Sequence, residues 1–150
     1  MEFNLDHSVN HRIATVATLL KRQVFRIIAE NKLEITPDQW VLLYYLWDED
    51  GISIGQLVAK SKKDFANVTR IADKLIKSGY LEKRKSEIDS RKSNLYILPK
   101  ALEIKDQITK CLKESTAITL NDISEEEQQS FLKTLQKIED NIFSANKLDK

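Results

Sequence analysis

Arg70, Lys74 and Lys77 recur at three- and four-residue spacing, and Lys83, Arg84, Lys85, Arg91 and Lys92 follow closely. Cationic groups set along one side of a helix can hold phosphate oxygens, and a guanidinium fork can also read a guanine edge. Asn67, with an amide donor and acceptor, has the chemistry to read adenine, and Ala66 beside it is small enough for close approach. At about 100° per residue, Phe65, Val68, Ile71, Ala72, Leu75 and Ile76 share one apolar arc that must pack inward. Ala66, Asn67, Arg70, Lys74 and Lys77 point the other way. Thr69 lies on the border, facing either a phosphate or its own backbone. Asp73 is outward too, at the spacing for an ion pair with Lys77.

These residues, with Lys63, belong to a stretch, Lys60 to Lys92, that holds eleven Lys/Arg against five Asp/Glu in a chain of net charge +1. Leu33 to Ala59 contains no base at all. A basic segment inside a nearly neutral chain is the footprint of a protein that meets a polyanion; a merely solvated surface is its other reading. Other chemistries find little material. There is no nucleophile–base pairing, and three glycines cannot supply a phosphate-cradling loop, so the chain reads as neither an enzyme nor a cofactor binder. His7 and His11 could share a helix face, but a metal site needs three or four ligands, and none is expected. Cys111 rules out an internal disulfide. On the apolar side of its helix it reads as a small buried hydrophobe, with redox sensing as the alternative. The first residues hold acids and no apolar run, and Trp40 to Trp47 is the longest apolar stretch. No signal peptide or membrane span is expected, and the protein is expected in the cytoplasm.

The elements that must position the basic residues follow from periodicity. Val9, Ile13, Val16, Ala17, Leu20, Val24, Ile27 and Ile28 mark an amphipathic first helix. Thr36 before Pro37 starts a second, apolar on most sides and central. Ser53 with Gln56 forms a capping box for a short third helix, Ile54 to Lys60; Asp64 caps the helix Phe65 to Ser78, and Gly79 ends it. Two helices about a short turn are helix-turn-helix grammar. Tyr80 to Lys85 and Ser93 to Leu98 pair as a β-hairpin around a charged loop, where an arginine near the apex, Arg91, can reach a minor groove. Asp89 would orient that guanidinium. A helix from Pro99 through Ile118 and a last one, capped by Ser124 with Glu127 and striped by Phe131, Leu135, Ile138 and Ile142, complete the chain. The fold is therefore mostly α with a small β-hairpin wing. The first and last stripes exceed what a winged-helix lobe of about 50 residues can cover, which predicts a homodimer.

The run from Asp64 to Lys83 and the tip Asp89-Ser90-Arg91, followed by Leu95, Ile97 and Leu98, resemble the MarR family of bacterial transcriptional regulators over nearly the whole chain. The resemblance implies one MarR-type domain over 1–150, with a DNA-binding lobe at 36–98 and dimerisation helices at 8–30 and 99–146. It implies a double-stranded DNA partner, a recognition helix in the major groove and Arg91 in the minor groove. Lys63, Ala66, Asn67, Thr69, Arg70, Lys74, Lys77, Lys83, Arg84, Lys85, Arg91 and Lys92 then form the expected DNA contacts. It also implies a repressor released from a pseudo-palindromic operator by a small aromatic or lipophilic effector, in a crevice between the dimerisation helices and the DNA lobe. Arg12, Trp40 and Tyr44 are the candidates to line it, with core packing as the other reading of Trp40 and Tyr44. Lys83 replaces the family's usual arginine and lacks its fork, Ser90 replaces a frequent base, and Pro99 replaces a capping threonine. The alternative is a winged-helix protein-interaction module whose charges serve solubility.

Overall fold

The computed structural model describes residues 2–147; Met1 and 148–150, at the ends of the expected 1–150 domain, lie outside them. The chain forms two compact units, Met1–Thr116 and Ala117–Lys150. The first begins with a 3-10 turn, Leu5–His7, and continues through α1 (Val9–Glu30), α2 (Pro37–Asp48), β1 (Ile52–Ser53), α3 (Ile54–Ser61), α4 (Phe65–Lys77), β2 (Leu81–Lys85), β3 (Ser93–Ile97) and α5 (Pro99–Glu103). The boundary falls within the last turn of helix α6 (Lys105–Thr119), and α7 (Glu125–Asn146) makes up most of the second unit.

Helix starts are fixed by side chains that accept the orphan amide donors of the first turn. Thr36 with Gln39, Ser53 with Gln56 and Ser124 with Glu127 form reciprocal capping boxes, and Asp64 accepts from the Asn67 amide. At the far end of α4, Gly79 takes φ +81° and the Tyr80 amide bonds back to the Leu75 carbonyl, so the chain turns sharply into the wing. The core sits beneath α4. Leu42, Leu43 and Leu46 of α2, Leu57 of α3, Val68 and Leu75 of α4, and Leu81 and Leu95 of the sheet are fully buried in one cluster.

Two elements differ from the sequence reading. The wing is a three-stranded antiparallel sheet of order β1-β3-β2, with Ile52 opposite Leu95. Its extra strand is held from outside its own two residues: the Gly51 amide donates to the Leu95 carbonyl, and the Asp50 carboxylate accepts from the Ile97 amide at 2.8 Å. Gly51 has φ +75°, and a Cβ there would lie 2.8 Å from the Tyr96 ring, so only glycine fits. The helix after Pro99 is broken at Ile104. The Trp47 indole donates to the Ala101 carbonyl at 3.1 Å, the acceptor that Lys105 would use in an unbroken helix.

In the second unit no residue of α7 is buried, and Phe131, Leu132 and Ile142 are 59%, 56% and 51% exposed. In the first unit, α1 likewise leaves Val16, Leu19, Leu20 and Phe25 exposed.

Candidate nucleic-acid interface

Helix α4 buries Val68, Ile71, Ala72 and Leu75 and turns its other side to solvent. That outer face carries Ala66, Thr69, Arg70, Asp73, Lys74 and Lys77 along a shallow groove. Arg70 Nη2 donates to Asn67 Oδ1 at 2.6 Å, so the two side chains that could read bases are joined. The Thr69 hydroxyl is buried and has no partner within the protein. The expected Asp73–Lys77 ion pair is not formed: among the described residues neither side chain has a charged partner. Phe65 does not pack inward; it is 61% exposed. At the first helical position its side chain points back past the N-terminus, beyond the arc that the core covers.

The wing presents two chemically different faces, because side chains alternate along a strand. Leu81, Lys83 and Lys85 stand opposite Ile97, Leu95 and Ser93, on the side where Leu81 and Leu95 are buried. Lys83 joins Arg91, Lys92, Ser53, Gly55 and Phe65 around a groove of about 380 Å³. The first turn of α3, the first residue of α4 and the wing thus meet there. Arg84 is on the opposite face, ion-paired with Glu82 and stacked 4.2 Å above the Tyr96 ring. It does not join the cationic groove.

The loop at the tip is ordered by its own side chains. Ser86 Oγ accepts from the Ile88 and Asp89 amides, and Asp89 Oδ1 accepts from the Arg91 amide at 3.0 Å. The same carboxylate oxygen lies 3.9 Å from Arg91 Nε, while the Arg91 side chain is 93% exposed. Ile88, which sequence reasoning passed over, is 98% exposed at this tip; its signal was an apolar residue set among charged ones.

Lys63 also leaves the expected set of free cations. Its ammonium lies 2.9 Å from Asp38 Oδ1 and its side chain is only 18% exposed. Lys21 of α1 reaches the same oxygen at 3.2 Å, so Asp38 ties the helix-turn-helix turn to the first helix. Partial burial pushes the Asp38 carboxyl up, but the hydrogen bonds and charges of Lys63 and Lys21 outweigh it and hold the pKa below its ordinary 3.8. A carboxylate depressed in the folded state contributes stability that is complete above its unfolded pKa and lost as pH falls through the folded one. The stability advantage of wild type over Asp38→Asn is therefore expected to be constant above about pH 5 and to shrink below about pH 4, read by urea denaturation across pH. Lys63→Ala should shrink it at neutral pH as well.

The remaining candidates are scattered. Trp40 Nε1 is buried without a partner, Tyr44 is 55% exposed and packs edge-on against Tyr45, and the Arg12 side chain makes no hydrogen bond or ion pair among the described residues. Cys111 is buried, and burial, then the Glu114 charge, raise its thiol above the usual range. That lowers the thiolate character on which a redox sensor depends. Labelling by a disulfide reagent at pH 8 is expected to run at least about tenfold slower in the folded protein than in denaturant; equal rates would restore the sensing role. Among the described residues no three His, Cys, Asp or Glu side chains cluster as a metal site, and no helix is long and apolar enough to cross a membrane.

Comparison with known proteins gives this geometry a context. Residues 35–93, from the start of α2 to the end of the wing loop, match the model of the MarR family. The HTH-type transcriptional regulator YsmB of Bacillus subtilis is 25% identical over 136 residues, covering 91% of this chain and 89% of the relative. Among solved structures, a MarR protein from Peptoclostridium difficile superposes with a TM-score of 0.79 at 26% identity, over 97% of this chain and 95% of the other. A MarR family regulator from Listeria monocytogenes, solved with a 26mer DNA, gives a TM-score of 0.78 at 19% identity over 95% and 97% of the two chains. At that identity the likeness is one of fold.

Proposed function

We propose that this chain, whose residues 35–93 match the model of the MarR family, is a helix-turn-helix transcriptional regulator that binds a pseudo-palindromic DNA operator as a homodimer, as a repressor released by a small molecule. In this reading α4 enters the major groove, and Arg91 reaches the adjacent minor groove with Ile88 beside it. Lys74, Lys77, Lys83, Lys85 and Lys92 hold phosphates. Asp89 braces the wing loop. The observation that carries the reading is the groove shared by Phe65, Lys83, Arg91 and Lys92, in which the cations of the wing line up beside the first residue of α4. Arg84 and Lys63, neutralised within the protein, have no part in it. The exposed apolar faces of α1 and α7 support the dimer. Two-fold symmetry would space the recognition helices about 34–36 Å apart, one turn of DNA. The aromatic surface of α2 at Trp40 and Tyr44 is the proposed place of the effector, and the cytoplasm its compartment.

The test is selection of bound duplexes from a random pool, followed by titration of the selected site against salt. With six to ten phosphates neutralised, affinity should fall about 10³- to 10⁵-fold between 50 and 200 mM salt. A protein that retains no duplex at 50 mM salt would instead be an interaction module whose wing charges only solvate it.

A further inference from the structure

The hydrogen bond between Arg70 and Asn67 decides what α4 can read. To recognise adenine, a carboxamide must present its oxygen to the adenine amino group and its nitrogen to N7 at once. In this structure the Asn67 oxygen already accepts from Arg70 Nη2 at 2.6 Å, so turning that oxygen to an adenine amino group would compete with the contact to Arg70. The backbone leaves Asn67 no freedom to shift along the helix, since its amide is fixed to the Asp64 cap at 2.8 Å. Arg70, by contrast, has lost one donor of its fork and gained an orientation. Its remaining N–H groups are held in one plane by a neighbour one helical turn away, and a guanidinium so held can meet the O6 and N7 acceptors of a guanine bidentately. Lys74 and Lys77 on the same face are donors only. Asp73 is the one acceptor among the charged side chains of that face; the other three are donors, complementary to the two acceptors that guanine presents in the major groove.

We propose that Asn67 is a positioning residue which holds Arg70 for a guanine in each operator half-site, and that Asn67 itself reads no adenine. This deepens the DNA-binding role above and rests on it. The guanine preference should then depend on both residues, with no base requirement belonging to Asn67 alone.

Duplex selection with wild type, Arg70→Ala, Arg70→Lys, Asn67→Ala and Asn67→Asp tests this. In wild type one position per half-site should be guanine. Arg70→Ala and Arg70→Lys should each relax it, by about 5- to 150-fold in relative affinity, although lysine keeps the charge. Asn67→Ala should relax the same position by on the order of tenfold and no other. Asn67→Asp keeps an acceptor for Arg70, so it should retain the guanine preference while weakening binding to all sequences through its added negative charge. A purely structural Asn67 would move overall affinity and leave base preference unchanged; that result overturns the proposal. So does an adenine that Asn67→Ala and Asn67→Asp both lose while Arg70→Ala keeps it. A wild-type protein that enriches no sequence would instead remove the DNA-reading role on which the proposal stands.

Discussion

Arg91→Ala is expected to weaken binding to the selected operator by about 10²-fold without changing the stability of the fold. A charged group contributes about 1.5 kcal/mol per hydrogen-bonded contact, and a dimer carries two wings, so about 3 kcal/mol, or two powers of ten, should go. The fold should be indifferent because the Arg91 side chain is 93% exposed and holds only a long, 3.9 Å approach to Asp89; surface changes of this kind stay within about 0.5 kcal/mol. Arg91→Lys should recover part of the loss, since it keeps the charge but not the fork. Arg84→Ala is the informative control. Its guanidinium lies on the other face of the sheet with Glu82 and Tyr96, and its removal should cost DNA affinity much less than that of Arg91. Titration of the labelled operator at fixed salt, beside thermal melts of each variant, reads both quantities. Equal losses for the two arginines would mean that the cationic groove is not the surface that meets DNA.

The contrast between these two arginines shows where the sequence was legible. Caps and stops were readable because their partners lie within a few residues: Asp64 and the Asn67 amide, Ser53 with Gln56, and Gly79 after the last turn of α4. The facing of Arg84 was also readable in principle. Leu81 must point to the core, so period two puts Lys83 and Lys85 with it and Arg84 opposite; counting charges alone hid this. Phe65 was misjudged because a wheel has no ends, and the first helical position overhangs the core. What remained out of reach was non-local. Lys63 finds Asp38 25 residues away, and the Trp47 indole breaks a helix 54 residues on. Neither hydrophobic period nor capping grammar registers a single side-chain hydrogen bond across such a distance. The pairing of Ile52 and Ser53 with β3 is not legible for a related reason, since two residues carry no period and the bonds that hold them come from Asp50 and Gly51.

The largest effect is expected from a change in the second unit, outside the residues proposed to read DNA. Phe131→Asp combined with Ile142→Asp should turn the proposed dimer into a monomer and lower operator affinity at least about 10³-fold. Both residues are more than half exposed on α7, a helix with no buried residue. Eleven residues separate them, about three turns, which puts them on one side of the helix with Leu135 and Ile138 between. An apolar stripe of that length left in water favours self-association, since every buried Å² contributes about 25 cal/mol. An unpaired carboxylate placed in such an interface costs several kcal/mol, and two-fold symmetry repeats it in each copy. Within the single chain both positions are more than half exposed, so the monomer should keep its helical content and the stability of its winged-helix lobe. Its DNA binding should not survive. A dimer that engages two half-sites reaches affinities of about 10⁻⁸ to 10⁻¹¹ M, whereas isolated, largely electrostatic binding sits near 10⁻⁴ to 10⁻⁶ M. Sedimentation at micromolar concentration and titration of the operator should therefore change together. If the double variant stays dimeric with its affinity intact, the α7 stripe is not the dimer interface; if the wild type sediments as a monomer, the two-fold operator model fails with it.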